Sequence, residues 1–340
     1  MRNAKKFLSL IMAVLMILSI FTLTSCSENN TKDPVPTPTA DNSEKKPEKV
    51  RVITLAGPTG MGMAKLIDDN TNKKTSYNYE FNIASAPDQV SPEVIKGNFD
   101  IACVPVNLAS VLFNKTEGKI KVMGVNTLGV LYMLENGNTI NSVSDLKNKT
   151  IYATGQGSNP EYVLRYILEK NNIDPDKDVK IEFLAEHAEL ATKLKTNAVA
   201  IGMLPEPQVT VATMGDSQTR IALDLTEEWN KVSDYKLIQG CIIVRNEFAE
   251  KHPTAVKGFL AEYKNSVDYV NNNIEEASQL IEKAGIVPKA AIAKKAIPNC
   301  NICLITGDEM KNSVKQMLDV LHKANPASVG GKLPTDEFYY

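Results

Sequence analysis

The sequence predicts an α/β fold with two lobes, each a mainly parallel sheet flanked by helices. From residue 50 onward, short runs rich in β-branched residues alternate with longer amphipathic periods. That alternation is typical of parallel strands connected by helices. One such series ends near residue 125, and a second runs from about residue 145 to 205. β-rich stretches at residues 129–134 and 237–244 flank the second series, which indicates a middle lobe inserted into the first.

The individual elements follow from these periodicities. In the first lobe we predict strands at residues 50–55, 79–84, 100–104 and 120–125. Helices are expected from the turn at 56–62 to about 69, and at 89–96 and 107–113. In the second lobe we predict strands at residues 151–153, 179–183 and 198–203. Its helices are expected at 161–170, 186–195 and from about 205. After residue 245 the chain becomes largely helical, with amphipathic segments at 253–273, 274–283 and 308–324.

Length and charge restrict the function classes. The 340 residues suffice for about two domains at roughly 150 residues each. The 38 basic residues are balanced by 40 acidic ones and spread along the chain. The sequence therefore lacks the basic patch of nucleic-acid-binding proteins, and we expect no nucleic-acid partner. We assign residues 50–128 and 245–340 to lobe 1, and residues 129–244, including the hinge strands, to lobe 2.

The N-terminal segment has the pattern of a secretory signal. Residues 1–25 combine Arg2, Lys5 and Lys6 with an apolar run and contain no acidic residue. The run ends in Leu-Thr-Ser before Cys26, which resembles the lipobox of bacterial lipoproteins. This resemblance implies cleavage before Cys26 and lipidation of that cysteine. The alternatives are an ordinary signal with a chance cysteine, or a retained anchor helix.

Residues 26–49 are predicted to form a disordered tether. The stretch has almost no bulky apolar residue, and several prolines stiffen it. Such a composition buries too little apolar surface to offset the entropy of ordering. The tether would hold the folded lobes clear of a membrane.

Four further cysteines give no sign of metal or redox chemistry. Cys103 and Cys241 lie in apolar, strand-like runs, while Cys300 and Cys303 form a close pair. A redox pair requires the start of a helix after a thioredoxin-like strand, and a zinc site requires two more ligands. Neither is found nearby in the sequence. We interpret these cysteines as buried small side chains or an incidental disulfide, and expect no metal.

The order of elements resembles type II solute-binding proteins of bacterial ABC importers, in the branch that handles nitrate, aliphatic sulfonates, taurine and thiamine pyrimidine precursors. The resemblance covers about residues 50–324. Its most specific parts are SVSDLKNKTI at residues 142–151, Glu206-Pro207, and VRNEF at residues 244–248 followed by His252-Pro253. It implies a periplasmic-binding-protein type II fold with a two-strand hinge and a ligand cleft between the lobes.

The candidate binding site consists of loops that follow the predicted strands, because ligands of open α/β sheets bind beyond the carboxyl ends of the strands. A glycine-rich turn after the first strand offers free N–H groups and close backbone approach, without a nucleotide-binding fingerprint. A loop in lobe 2 occupies the equivalent place. A plain strand-to-helix turn or a helix cap is the alternative for each loop. The candidate ligand-binding residues are Gly57, Pro58, Thr59, Gly60, Met61, Ser85, Pro105, Asn107, Gln156, Gly157, Ser158, Asn159, Glu186, His187 and Glu206.

The chemistry of these loops favours binding over catalysis. Glu186 and His187 offer an acid and a base, yet no serine or cysteine nucleophile motif accompanies them. We therefore expect no catalytic residue, no enzymatic activity and no cofactor. Phosphates and dicarboxylates usually attract an arginine, which these loops lack. With Met61, Met63 and Tyr132 in the expected lining, a small, neutral or weakly charged ligand is favoured.

The resulting hypothesis is an exported, lipid-anchored monomer on the outer face of the cell membrane. It would capture a small organic solute and deliver it to an ABC permease with a cytoplasmic ATPase. Two alternatives remain open at this point. The same fold resembles menaquinone-pathway and pyrimidine-synthesis enzymes, which act in the cytoplasm, so an export signal argues against them. An extracellular sensor that reports to a receptor kinase fits the sequence as well as an importer component does.

Overall fold

The computed structural model describes residues 46–215 and 217–340. The predicted signal, Cys26 and most of the predicted tether lie outside these residues. The described chain contains two sheets, each covered by helices on both faces. None of its described helices is both long and apolar enough to cross a membrane.

Sheet A contains six strands. They are β1 (Val50–Leu55), β2 (Tyr79–Ala84), β3 (Ile101–Pro105), β4 (Ile120–Leu128), β10 (Ile238–Arg245) and β11 (Ile302–Ile305). Their order across the sheet is β2-β1-β3-β10-β4-β11. β1 pairs in parallel with β2 and β3, whereas β10 runs antiparallel to β3 and β4.

Sheet B contains five strands. They are β5 (Leu131–Asn136), β6 (Thr150–Thr154), β7 (Lys180–Leu184), β8 (Ile201–Pro205) and β9 (Thr219–Asp224). Their order is β7-β6-β8-β5-β9, with β6 parallel to β7 and β8 and with β5 antiparallel to β8 and β9. Each sheet thus repeats one plan, in which three parallel strands are followed by an antiparallel strand that belongs to a crossing segment.

Thirteen helices are found in the described chain. They are α1 (Pro58–Met61), α2 (Ala64–Thr71), α3 (Pro87–Ile95), α4 (Val106–Lys115), α5 (Asn159–Lys170), α6 (His187–Lys195), α7 (Gln208–Thr213), α8 (Leu225–Val232), α9 (Asn246–Lys251), α10 (Pro253–Asn272), α11 (Ile274–Lys283), α12 (Ala290–Ala296) and α13 (Gly307–Ala324). Several begin with a proline in the first turn, where the missing N–H costs nothing.

The chain crosses between the sheets twice. β4 leads into β5 through Gly129 and Val130, and residues 233–237 lead from α8 into β10. β10, which the sequence analysis grouped with lobe 2 as a hinge strand, is a central strand of sheet A. The two crossings lie against each other, because a methyl group built on Gly129 would come within 2.8 Å of Leu237 Cδ2.

Three apolar clusters form the core. One fills the space between sheet A and helices α3, α4 and α13 and continues onto the side of sheet B covered by α5 and α8, where Trp229 stacks on Tyr166 at 4.6 Å. A second lies under α2, α10, α11 and α12 around Phe259 and Tyr263. A third packs α6 and α7 on sheet B around Leu190 and Leu194. The prediction of two helix-covered α/β lobes is confirmed, and the sheets are mixed because the crossing strands run antiparallel.

The cysteines of the described residues are free thiols. Cys103, Cys241 and Cys300 are fully buried, and Cys303 is half-buried in β11. Burial raises the pKa of Cys103 and of Cys303 to about 12, so both remain protonated. Within the described chain no group of histidine, cysteine and carboxylate side chains is arranged to hold a metal ion.

Candidate functional site

The loops at the carboxyl ends of the parallel strands of the two sheets come together. Gly57 follows β1 in sheet A, and Pro207 follows β8 in sheet B. A methyl group built on Gly57 would lie 3.9 Å from Cδ of Pro207, which is ordinary van der Waals contact. The structure therefore places the glycine-rich turn of lobe 1 directly against the Glu206-Pro207 loop of lobe 2.

The turn after β1 divides into an exposed edge and a buried base. Gly57, with φ +82°, and Pro58 are both half-buried, and Gly57 is the residue that approaches the other lobe. Thr59, Gly60 and Met61 are buried, and Met61 packs in the lobe 1 core with Met63. The two methionines were predicted to line the ligand site. In the structure both side chains are buried in the lobe 1 core.

A buried asparagine holds this turn in place. Asn126, fully buried on β4, donates from Nδ2 to the Thr59 carbonyl oxygen at 3.0 Å. A methyl group built on Gly240 would lie 2.7 Å from Asn126 Oδ1, so β10 passes close to the same side chain. The sequence analysis missed Asn126, since a single asparagine in an apolar strand gives no pattern. Its burial with a backbone partner identifies it as a positioning residue.

The loop after β6 is organised by Glu161. The carboxylate of Glu161 accepts from the Gly157 N–H at 2.7 Å and from Arg165 Nε at 2.8 Å. Ser158 precedes α5 in the N-cap position, yet its hydroxyl donates to the Gly155 carbonyl at 2.6 Å rather than capping the helix. Gln156 and Gly157 are exposed at the tip of the loop. Glu161 thus holds the loop in place, while Gln156 and Gly157 at its tip are accessible to solvent.

Asn159, the first residue of α5, reaches across to sheet A. Its Nδ2 donates to Oε1 of Gln239 on β10 at 3.2 Å. Asn159 is 2% exposed, and its Oδ1 has no hydrogen-bond partner among the described residues. A buried acceptor without a partner costs free energy, so this oxygen is suited to receive a donor.

Glu206 forms a second contact between the lobes. It is 2% exposed and accepts from Thr210 N, Thr210 Oγ1 and Asn299 Nδ2, each at 3.1 Å. Asn299 precedes β11 of sheet A, and its carbonyl accepts from the hydroxyl of Tyr132 on β5 at 2.9 Å. In this segment the predictions concerned only Cys300 and Cys303, so Asn299 was not among the candidate site residues.

The remaining candidates are more scattered. Ser85 is exposed, Pro105 precedes α4, and Asn107 Nδ2 lies 3.5 Å from the carbonyl of Ser328. Glu186 is exposed, and His187 is also exposed with its Nδ1 2.6 Å from Oγ1 of Thr154. The structure brings Gly57 and Glu206 into one interlobe region, whereas the backbone N–H of Ser85 donates to Gln89 within lobe 1 and Glu186 is exposed.

An open groove of about 1110 Å³ runs between α5 of lobe 2 and α13 of lobe 1. Its lining includes Gln156 and Gly157 from the β6 loop. At one end Asn325 Nδ2 donates to the hydroxyl of Tyr162 at 2.9 Å, which joins the segment after α13 to α5. Gln316 also lines this groove, and its Oε1 is shielded from solvent and has no partner among the described residues.

Three charged side chains of the groove are engaged with each other. Arg165 pairs with Glu161 at 2.8 Å and with Asp176 at 2.9 Å. Lys170 lies over the ring of Tyr166 at 5.4 Å from its centroid. Glu169, Asp319 and Lys323 also line the groove, so it offers a ligand both charged and neutral hydrogen-bonding groups.

Glu206 gives a prediction about pH. Burial is the largest influence and raises the pKa of Glu206 above its ordinary value, against the hydrogen bonds from Asn299 and Thr210. Because the folded state favours the protonated form, stability declines as the pH rises from the ordinary glutamate pKa through the raised one. Glu206→Gln carries no charge, so we expect its free energy of unfolding, relative to the wild type, to increase between about pH 4 and about pH 7.

Urea denaturation at several pH values measures this difference. Glu189→Gln, an exposed glutamate on α6, serves as the matched control and should follow the wild type across the range. Parallel curves for Glu206→Gln and the wild type would contradict the buried position of this carboxylate.

The fold and this geometry define a class of protein. Two α/β lobes joined by two crossings, with the strand-end loops of both lobes in contact, are the architecture of periplasmic solute-binding proteins. Residues 82–277, more than half of the chain, match the NMT1/THI5-like family, and the chain belongs to that family. A comparison with curated protein sequences gives no match.

Solved structures show the same fold. An ABC transporter protein from Parabacteroides distasonis is 24% identical with a TM-score of 0.74, and the match covers 86% of this chain and 99% of that one. The periplasmic aliphatic sulphonate-binding protein SsuA from Escherichia coli is 16% identical with a TM-score of 0.68, covering 85% and 93%. The periplasmic nitrate-binding protein NrtA from Synechocystis PCC 6803 is 12% identical with a TM-score of 0.52, covering 83% and 84%. The resemblance to this branch, noted from the sequence, is confirmed.

Proposed function

We propose that the protein is an exported solute-binding protein that captures a small organic molecule between its lobes and delivers it to an ABC permease. The close approach of Gly57 to Pro207, together with the Asn299–Glu206 hydrogen bond, supports this most directly. Both pairs join strand-end loops of different lobes, which is where α/β sheets bind ligands. A ligand that enters there touches both lobes and favours the closed arrangement.

The ligand is a small neutral or weakly charged molecule with N–H or O–H donors. The side-chain oxygens of Asn159 and Gln316 have no partner among the described residues, which supports a ligand with hydrogen-bond donors. Each oxygen gains a hydrogen bond if a ligand donor reaches it. The engagement of Arg165 by Glu161 and Asp176 supports weak charge, because this arginine has no free fork for an anion.

Contacts of the acid–base side chains favour binding over catalysis. His187 Nδ1 contacts a threonine hydroxyl, and Glu206 accepts from Thr210 and Asn299. In the described residues neither side chain contacts a serine or cysteine nucleophile. Catalysis by nucleophile and base requires such a contact.

Ligand binding should stabilise the protein and should depend on Gly157. At a ligand concentration of about 100 times the dissociation constant, we expect a gain of roughly 2.7 kcal/mol in the free energy of unfolding. The ligand used is the molecule released from gently purified protein. A methyl group built on Gly157 meets no atom within 4 Å, so Gly157→Ala projects into open space at the tip of the β6 loop and should reduce the gain.

Gly331→Ala is the matched control for this experiment. Gly157 and Gly331 have φ of +71° and +88°, and neither has a neighbour near the added methyl group, so both variants carry the same kind of backbone strain. Thermal and urea denaturation with and without ligand give the gains. Equal gains in the wild type and both variants would place the ligand elsewhere.

The N-terminal segment provides the proposed membrane anchor. Cys26→Ala should abolish lipid attachment and release the protein from the membrane, because each buried CH₂ of a lipid chain contributes about 0.8 kcal/mol to anchoring. Solute affinity should be unchanged, since binding is assigned to the lobes. Detergent partition and intact mass check both points, and a variant that stays in the membrane through an uncleaved apolar segment would refute the lipoprotein assignment.

A further inference from the structure

A basic pocket lies at the end of sheet A opposite the ligand loops. It has a volume of about 270 Å³ and is formed where β1 and β3 begin and where β10 ends. Gly57 comes after the end of β1, and Pro105 is the last residue of β3, so both lie at the opposite end of these two strands. At about 3.3 Å per residue, the length of β1 separates this pocket from the interlobe region by roughly 15 Å. It is therefore a different site from the one proposed for the solute.

Two arginines share one buried aspartate at the base of this pocket. Asp100 is 3% exposed and accepts from Arg51 Nη2 and from Arg245 Nη2, each at 2.7 Å. Arg51 also donates from Nε and from its backbone N–H to Oδ2 of Asp100, both at 3.0 Å. Two cations face one anion here, which leaves an excess of one positive charge.

The rim adds further cations without removing this excess. Arg245 Nη1 lies 2.5 Å from Glu247 Oε2, and Lys251 Nζ lies 2.7 Å from Glu247 Oε1. Lys49 pairs with Glu80 at 2.8 Å. Among the residues that line the pocket, four are basic and two, Asp100 and Glu247, are acidic, so the lining carries an excess of positive charge.

Two buried nitrogen atoms of the pocket have no partner. Arg245 Nε and His252 Nδ1 are inaccessible to solvent and make no hydrogen bond to the described residues. α10 begins at Pro253, immediately after His252, and the N-terminal end of a helix of 20 residues carries a partial positive charge. The buried Nε–H of Arg245 is a donor without a partner, which is costly, so a ligand with acceptor oxygens that reaches it as the covering side chains move is favoured.

These observations share one chemical requirement. A ligand of this pocket has to accept hydrogen bonds from Arg245 and from the ring of His252. It also has to carry negative charge and be small enough for the pocket. A tetrahedral oxyanion meets all three conditions, and arginine binds phosphate oxygens with favourable geometry. A singly charged phosphate ester matches the charge excess of the cluster.

We infer that the pocket formed by Lys49, Arg51, Arg245, Lys251 and His252 binds a phosphate group. Lys49 and Pro47, which line it, are among the described residues nearest in sequence to Cys26. Two sources supply the same chemistry, namely the phosphodiester headgroup of an anionic lipid and free inorganic phosphate. The assignment does not depend on the proposed solute function, and only the lipid source depends on the proposed anchor.

The test is a ³¹P NMR titration of the full chain in a non-ionic detergent at constant ionic strength. Inorganic phosphate is one probe, and glycerophosphoglycerol, the headgroup of phosphatidylglycerol without its acyl chains, is the other. Tighter binding of glycerophosphoglycerol identifies the lipid as the source, and tighter binding of inorganic phosphate identifies the free ion. Either result supports the pocket, provided that the variants below respond.

The variants separate this pocket from general charge effects. Lys251→Ala with His252→Ala should weaken binding at least about tenfold, because the double variant removes one cation and one ring with hydrogen-bonding nitrogens from the pocket. The matched control is Lys264→Ala with His322→Ala. It removes another lysine of an i,i+4 ion pair and another half-buried histidine, and it should bind as the wild type does.

Glu247→Gln should act in the opposite direction. It removes the acid that engages Arg245 and Lys251 on the rim, so we expect binding to become about threefold tighter. Thermal unfolding confirms that each variant is folded. Failure of both probes to bind the wild type, equal binding by the pocket variant and its control, or no tightening in Glu247→Gln would overturn the assignment.

Discussion

Replacing Gly60 by alanine will lower the free energy of unfolding by about 3 kcal/mol or more. The added methyl group would lie 2.3 Å from the carbonyl oxygen of Leu55 and 3.3 Å from Cγ2 of Ile286. The first neighbour is backbone of β1, which cannot rotate away as a side chain does. The turn has to shift, and the buried Thr59 and Met61 shift with it. Urea denaturation without ligand measures the loss.

Gly331→Ala provides the comparison for this prediction. Its added methyl group meets no atom within 4 Å, so only the left-handed backbone at φ +88° contributes, at about 1 to 2 kcal/mol. An equal or smaller loss in Gly60→Ala would show that the turn has room for a side chain. The expected loss would mean that packing within lobe 1 requires glycine at position 60. A Gly60 variant is therefore a poor probe of ligand contact.

Asp100→Asn will cost about 3 kcal/mol at neutral pH, because it leaves Arg51 and Arg245 without their shared carboxylate. Burial alone disfavours the charged form of Asp100, yet hydrogen bonds from both arginines outweigh burial and lower its pKa. A lowered folded-state pKa means that the stabilisation is complete above the ordinary aspartate value of about 3.9 and is lost as the pH falls through the folded value.

The difference between wild type and Asp100→Asn should therefore be full at about pH 7 and shrink below about pH 4. Asp268→Asn is the control, because its pair with Lys264 is half-exposed on both sides and should contribute less than about 1 kcal/mol. Urea denaturation across this range measures both variants. A gap that stays constant with pH would mean that Asp100 is not held ionised by the two arginines.

Three of the parallel strands could be predicted well because each carries a continuous buried run. β1, β3 and β8 each have four or more buried residues in sequence, and such runs between glycine or polar turns have few alternative structures. The structure also shows two strands that the sequence analysis did not predict. β9 has only two buried residues among its six and lies at one edge of sheet B, and β11 has four residues at one edge of sheet A. Short or polar edge strands give a weak periodic signal.

Of the candidate site, only the residues that directly follow strands could be predicted from the sequence. Gly57 and Glu206 follow strands, and the rule that ligands bind beyond strand ends was enough to select them. Their partners were not accessible to such a rule. Asn299 reaches Glu206 across 93 positions of the chain, and Asn126 reaches Thr59 across 67, so tertiary packing alone brings them together. Single asparagines in apolar or turn segments have no local pattern that announces such a role.

The VRNEF and His252-Pro253 segments show how a family-like motif can serve another purpose. Sequence analysis used them only as part of the resemblance. In the structure Arg245 and His252 lie at the basic pocket rather than at the interlobe loops.

Native mass spectrometry of the gently purified protein tests the central claim, capture of a small molecule between the lobes, most directly. We predict one bound small molecule per chain, which is retained by Gly331→Ala and lost or reduced in Gly157→Ala. The released molecule, added back, should restore the bound mass in the wild type. A chain that carries no small molecule from its host, or equal retention by both glycine variants, would contradict the assignment of the interlobe loops as a solute-binding site.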